Sequence, residues 1–235
     1  MRGQERLTNP DKNETRKTRY FSDFALRHMK EMRVLAKGGA LGKENAEWRN
    51  VSEHCLAETV GADILAEALG ADREKVVTAV LLHDWNKRTE IETMTQHGAE
   101  EGYKEVTANG ERLLRDYGVP EDVVTLSQSN ILKSANRNDW LNLPIEAKIV
   151  YFIDVITSGT KFVGFEERLR LAAQKPNTVE LSEGFRSTYG GKSLLQVQAE
   201  ASPLIQKGLE DLLHLEPGTL IDFIMRKLEE RIQTY

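Results

Sequence analysis

Four side chains that can bind a metal ion lie in apolar stretches that otherwise resemble buried helices. His54 lies in NVSEHCLAETV, His83 and Asp84 are adjacent in AVLLHDWNK, and Asp154 lies in VYFIDVIT. An ionised aspartate in such a segment is costly unless a partner neutralises its charge. Two imidazoles and two carboxylates form a donor set that suits Mn, Fe, Co, Ni or Zn, and Mg less well. We therefore predict that these four residues bind one divalent transition metal.

Each of the four residues also has an ordinary structural explanation. A single histidine on a helix is more often hydrogen-bonded than metal-bound, an aspartate can pair with a core Arg or Lys, and an adjacent His-Asp pair occurs by chance. The occurrence of all four on three apolar helices favours the metal. Such a metal would lower the pKa of a bound water and polarise a phosphoryl oxygen, which predicts phosphate-ester chemistry.

Two cations close to these residues are candidates for binding a phosphate. Lys87 lies one helical turn beyond Asp84, where an ammonium could reach a phosphate held on the metal. Arg49 precedes His54 by five residues and offers a guanidinium. The alternative for both is a solvated position at a helix end. We predict that both contact substrate and that Lys87 also stabilises charge developing in the reaction.

Helices must position these side chains, because apolar residues recur at helical spacing along most of the chain. Residues 1–18 are polar and predict a frayed arm. Asp72 is placed to cap one helix, Gly118 to separate two others, and Pro144 to start the helix that carries Asp154. Strand signals are weak, so the predicted fold is all-α. The predicted helices include 21–36, 50–69, 144–158, 164–174, 191–213 and 219–233.

The composition of the chain limits the classes of function that we expect for it. The 235 residues are 40% hydrophobic and carry a net charge of −5, which disfavours nucleic acid as a partner. The single cysteine, Cys55, excludes an intrachain disulfide and favours a cytoplasmic location. No apolar run approaches the roughly 20 residues that span a membrane, and the N-terminus lacks the apolar segment of a secretory signal.

The order His, His-Asp, Asp on helices resembles the HD superfamily of metal-dependent phosphohydrolases. The segment NVSEHCLAETVGADILAEAL is similar to the helix of the first ligand, and AVLLHDWNK is similar to the His-Asp helix, including its Lys. The segment KIVYFIDVITSGTKFVGFEERLRLAA resembles the final-Asp segment, especially in the branch that hydrolyses symmetrical dinucleoside polyphosphates. There a basic residue follows the turn after the Asp. Thr160 holds that place here, with Lys161 next, so the resemblance implies substrate binding by Lys161.

The resemblance covers about residues 48–175 and implies a helical bundle with additional N- and C-terminal helices. We divide the chain into an N-terminal arm and helix (1–43), the HD-domain core (44–175) and C-terminal helices that pack on the same domain (176–235). The C-terminal helices either cover the domain or form a homodimer face.

Several HD enzymes have two further histidines that hold a second metal, and this chain departs from that pattern. Val106 and Thr107 stand near the place of one, and Ser129 and Asn130 replace the other. His97 either substitutes for the first or is an exposed loop histidine, and we expect the latter. We therefore predict one metal, which disfavours a diiron oxygenase and leaves the dinucleoside-polyphosphate substrate open.

The predicted function is metal-dependent hydrolysis of a nucleotide or another small phosphate ester. In this interpretation Asp84 both binds the metal and positions or deprotonates the attacking water, while Lys87 stabilises developing charge. The rival interpretation is a non-catalytic HD-domain module that binds a metal or ligand without turnover. The absent second-metal histidines and the Trp-Asn pair after His-Asp favour that rival.

Overall fold

The computed structural model describes residues 10–38, 49–128, 132 and 135–235, and it describes side chains from residue 14 onward except at 49 and 50. Within these residues the chain forms thirteen helices and one two-stranded ribbon. The all-α prediction is therefore confirmed. The first seven helices are α1 Pro10–Arg27, α2 Met29–Lys37, α3 Arg49–Leu69, α4 Arg73–Leu82, α5 Lys87–His97, α6 Ala99–Asp116 and α7 Glu121–Gln128. The remaining elements are α8 Arg137–Leu141, α9 Ile145–Ile156, β1 Thr157–Ser158, β2 Lys161–Phe162, α10 Phe165–Ala173, α11 Pro176–Glu183, α12 Leu194–Leu212 and α13 Leu220–Gln233.

Helix boundaries follow local signals where those signals are strong. The Asp72 side chain accepts a hydrogen bond from the Lys75 backbone N–H and so caps α4 as predicted. Gly118 has a φ of +77° in the turn between α6 and α7. Ser193 and Gln196 form a reciprocal capping box at the start of α12.

The N-terminal prediction was wrong in part. Residues from Pro10 onward are helical, where we expected a frayed arm up to residue 18. Proline is well tolerated in the first turn of a helix, and α1 is anchored further along by the buried rings of Tyr20 and Phe24. The predicted helix 21–36 is also interrupted, because α1 ends at Arg27 and α2 begins at Met29.

The core is centred on α9, which is buried on almost every side. Eight of its twelve residues are buried, and it contacts α3, α4, α7, α10 and α12. Helix α3 packs most extensively against α4 and also contacts α13. Because α3, α4 and α9 pack against one another, polar side chains on their facing surfaces are brought to one place.

A two-stranded antiparallel ribbon follows α9 directly and was not predicted. Thr157 pairs with Phe162, and Ser158 pairs with Lys161. Gly159 begins the intervening turn with a φ of +60°, which glycine adopts without steric penalty. The ribbon returns the chain toward α3, and the Phe162 ring lies so close to Gly61 that a Cβ there would be 2.6 Å from the ring.

The C-terminal helices pack on the same core. Helix α12 contacts α8, α9 and α10, and α13 contacts α1 and α3. Arg231 of α13 donates to the buried Asp63 carboxylate of α3 at 2.7 Å, and Arg73 donates to the same carboxylate at 2.9 and 3.0 Å. Across the described ranges, none of the helices combines the length and apolar character that crossing a membrane requires.

Candidate metal centre

Helix α3 carries two polar side chains on its buried face, one turn apart. His54 Nε2 lies 3.0 Å from Glu58 Oε1, and the Glu58 side chain is fully buried. Residues four apart face the same side of a helix. Buried apolar residues of α3, among them Cys55 and Val60, pack in the same core as residues of α4 and α9.

Helices α4 and α9 add a histidine and a carboxylate to the same point. His83 follows the last residue of α4, and its Nε2 lies 3.4 Å from the other Glu58 oxygen. Asp154 comes from the otherwise buried α9. His54, Glu58, His83 and Asp154 each offer one donor atom, and all four atoms lie within 4.8 Å of one another. We name these four residues the cluster.

Backbone carbonyls fix the orientation of both imidazoles. His54 Nδ1 lies 2.7 Å from the Gly159 carbonyl oxygen, and His83 Nδ1 lies 2.7 Å from that of Val80. A carbonyl can only accept, so each Nδ1 carries a proton. In the neutral rings both Nε2 atoms therefore present lone pairs toward Glu58. Such second partners commonly hold a metal-binding histidine in one tautomer.

Within the described residues, the atoms at the centre of the cluster lie close to one another without forming a hydrogen bond. Both Glu58 oxygens and His83 Nε2 are buried without one. A lone pair on nitrogen and a carboxylate oxygen repel each other unless a proton or a cation lies between them. Buried polar atoms are rarely left without a partner, so this arrangement fits a divalent cation bound by imidazole nitrogen and carboxylate oxygen.

In the absence of a cation, protons take its place. Burial lowers the pKa of His54, but the Glu58 carboxylate outweighs burial and raises that pKa to about 9. Burial likewise lowers the pKa of His83, and Asp84 and Glu58 together raise it well above its usual value. The pKa of Glu58 is raised above its usual value, because burial outweighs the opposing effect of His83 and His54. Metal binding must therefore displace protons from the imidazoles.

Asp84 lies beside the cluster and is held by Lys87. Asp84 Oδ2 is 3.6 Å from His83 Nε2, and Asp84 Oδ1 is 3.1 Å from Lys87 Nζ. Lys87 also donates to Glu90 at 2.8 Å. Burial would raise the pKa of Asp84, but Lys87 and then His83 outweigh burial and hold it well below its usual range. Asp84 is therefore an anion that faces the cluster with one oxygen and a lysine with the other.

A cavity of about 390 Å³ opens beside the cluster. His83, Asp84 and Asp154 line one part of it, and Lys87 and Glu90 continue that wall. Side chains of α10, α11 and α12 also line the cavity. Pockets of roughly 300–1,000 Å³ suit small organic ligands, so the cavity has room for more than an inorganic phosphate.

The structure brings together three of the four predicted metal ligands in the cluster and places Asp84 next to it. Lys87 lines the cavity. Lys161 is exposed in β2 and is absent from the cavity wall. Arg49 begins α3, but its side chain lies outside the described part of the structure, as do Ser129 and Asn130.

In the described part of the structure, no histidine lies beside the cluster at the positions where a second metal would be bound. Val106 and Thr107 of α6 line the cavity. His97 is the last residue of α5, where we expected a loop, and its half-exposed ring is 2.7 Å from Glu105.

Sequence reasoning missed Glu58. The residue stands among charged and polar residues in EHCLAET and resembles part of a solvated face. One signal was available: Glu58 follows His54 by four residues and therefore shares its helix face. Its complete burial, which makes it a candidate ligand, becomes evident only from the packing of α3 against α4 and α9.

Comparison with known proteins agrees with this geometry. The family model of the HD domain matches residues 51–159, a range that contains the whole cluster together with Asp84 and Lys87. No curated protein and no solved structure matched the chain. The matched residues contain the helices α3, α4 and α9 that form the cluster. The chain therefore contains an HD domain, which spans residues 51–159.

Proposed function

We propose that this protein is a metal-dependent phosphohydrolase that acts on a nucleotide or another small phosphate ester. The observation that carries the proposal is the convergence of two imidazole Nε2 atoms and two carboxylates from three helices, with unpartnered buried atoms at their centre. HD domains are found in metal-dependent phosphohydrolases, and the adjoining cavity offers space for an organic substrate.

The proposed ligands are His54, His83 and Asp154, with Asp84 or Glu58 completing the set. Asp84 was predicted from sequence, and Glu58 is the carboxylate that lies between the two imidazoles. One divalent transition metal fits these nitrogen and oxygen donors. When bound, it would activate a water and polarise a phosphoryl oxygen.

The protein residues around the cluster have separate tasks in this proposal. The Gly159 and Val80 carbonyls keep the imidazole Nδ1 atoms protonated and so leave Nε2 free to bind. Asp84 accepts a proton from, or orients, the attacking water. Lys87 holds Asp84 in place and contributes positive charge beside the phosphate.

The experiment is metal analysis combined with a turnover screen. Protein purified without chelator should contain one transition metal per chain, and with added Mn it should hydrolyse at least one member of a panel of nucleotides and phosphate monoesters. His83→Ala should lose both the metal and turnover. His97→Ala is the matched control, because its ring is half exposed and paired with Glu105, and it should keep both.

Four results would contradict the proposal, each in a different way. Metal bound without turnover on any phosphate ester would favour a non-catalytic metal-binding module. An unchanged metal content in His83→Ala would mean that the cluster does not bind the metal and that protons alone neutralise its charge. Two tightly bound metals per chain, or loss of a metal in His97→Ala, would refute the single-metal part.

A further inference from the structure

Arg168 is a cation in the cavity wall whose side chain has no ion-pair partner among the described residues. It lies in α10 and lines the same cavity as Asp84 and Asp154. Its Nε is buried without a hydrogen-bond partner. Within the described residues none of its nitrogen atoms forms an ion pair with a carboxylate. A buried guanidinium nitrogen without an acceptor is unusual enough to need an explanation.

The sequence of α10 explains why Arg168 has no ion pair within its own helix. Arg168, Leu169 and Ala172 share one helical stripe, and all three line the cavity. The positions three and four residues from Arg168 on either side hold glycine, phenylalanine, leucine and alanine, so α10 offers it no ion pair. Arg170, by contrast, points away and pairs with Glu167 at 2.6 Å.

The other cation of the cavity wall near the cluster is already engaged. Lys87 donates to Glu90 and contacts Asp84, which holds its ammonium beside the cluster, where the reacting phosphate is proposed to bind. Lys175, between α10 and α11, also lines the cavity but is exposed. Arg168 is therefore the cavity cation that combines a shielded position with unused donors.

We propose that Arg168 binds a second anionic group of the substrate, a phosphate or a carboxylate, on the α10 wall. The inference rests on the proposed function for the phosphate at the cluster, and it names the substrate class as a small molecule with two separated anionic groups. A guanidinium presents paired N–H donors that match the oxygens of either anion. Arg168 lies beyond residues 51–159, so the match to the HD domain does not assign it.

The test is an equilibrium binding measurement that needs neither metal nor turnover. Inorganic pyrophosphate is titrated calorimetrically into chelator-treated, dialysed protein. The wild type should bind it, and Arg168→Gln should weaken binding by about tenfold or more, because charged hydrogen bonds are lost. Arg168→Lys should fall between them, since it keeps the charge and loses the paired donors.

Arg170→Gln is the matched control, because it removes the same charge from the exposed side of the same helix. Its pyrophosphate affinity should stay within about twofold of the wild type. An equal loss in both variants, or no binding by the wild type, would overturn the inference. Arg168→Gln should also keep the wild-type melting temperature, since it removes a donor without a partner. A clear fall in melting temperature would identify Arg168 as structural and refute the ligand role.

Once a substrate is found, turnover measurements distinguish a failure of this inference from a failure of the proposed function. Arg168→Gln should raise KM for a substrate with a second anionic group and leave KM for p-nitrophenyl phosphate unchanged. Equal effects on both substrates would overturn the second-anion assignment. Pyrophosphate binding at Arg168 in a protein without hydrolytic activity would leave this site standing while the proposed function failed.

Discussion

Replacing Glu58 with glutamine should change how the stability of the metal-free protein depends on pH. The Glu58 side chain is fully buried and the His54 side chain is 13% exposed, with 3.0 Å between Oε1 and Nε2. The pKa of His54 is raised from 6.5 to about 9. A shift of that size corresponds to about 3 kcal/mol of folding free energy. Because the folded-state pKa lies above the unfolded value, this stabilisation is complete below about pH 6.5 and is lost as pH rises through about 9.

The assay is urea unfolding of chelator-treated protein at a series of pH values. The wild type should lose about 2–3 kcal/mol of unfolding free energy from this group between pH 6.5 and 9. Glu58→Gln removes the anion that raises the His54 pKa. Between pH 6.5 and 9 the variant should therefore lose less unfolding free energy than the wild type, by about this amount. Glu105→Gln is the control, because Glu105 also lies beside a histidine but the pair is half exposed and should contribute less than about 1 kcal/mol. Equal pH profiles for the wild type and Glu58→Gln would refute the pairing of Glu58 with a protonated imidazole.

Three further predictions concern the metal, the rate and the ribbon. Metal affinity should rise with pH from about 6.5 to 9, since the raised His54 pKa makes protons compete with the metal; a flat affinity profile by competition with a chelator would contradict this. Lys87→Ala should keep its metal and lose about 10²–10³ in kcat, and unchanged turnover would make Lys87 a surface residue. Gly61→Ala should lower unfolding free energy by about 1–3 kcal/mol, because its Cβ would meet Phe162 and Ile153 at 2.6 and 2.8 Å. Gly208→Ala, with open space around its Cβ, should instead stabilise α12 by about 0.5–1 kcal/mol, and an equal loss in both variants would show that crowding is not the cause.

Local sequence signals predicted the fold well because they act within a few residues. The cap at Asp72, the turn at Gly118 and the apolar run of α9 all depend on neighbours in the chain. The β1–β2 ribbon was missed because each of its strands has only two residues, which is too short for alternation to be recognised. The polar start of α1 was missed because composition alone does not exclude a helix that is anchored further along.

The candidate site was predicted only in part, because its chemistry depends on packing. His54, His83 and Asp154 stand out in sequence as polar residues in apolar helices, and the structure gathers them. Glu58 and Arg168 do not stand out, since both lie in segments rich in charge. Each becomes a candidate only when burial removes its access to water and no partner replaces it.

The hydrogen bond from His54 to the Gly159 carbonyl joins residues 105 positions apart. During synthesis α3 and α4 leave the ribosome well before the ribbon exists, by about 5–20 s at the usual rate of about 5–20 residues per second. Until the ribbon closes on α3, His54 is free to carry its proton on either nitrogen. The complete cluster can therefore form only in a chain that has been made beyond Gly159, so the proposed metal would bind after most of the HD domain has been synthesised.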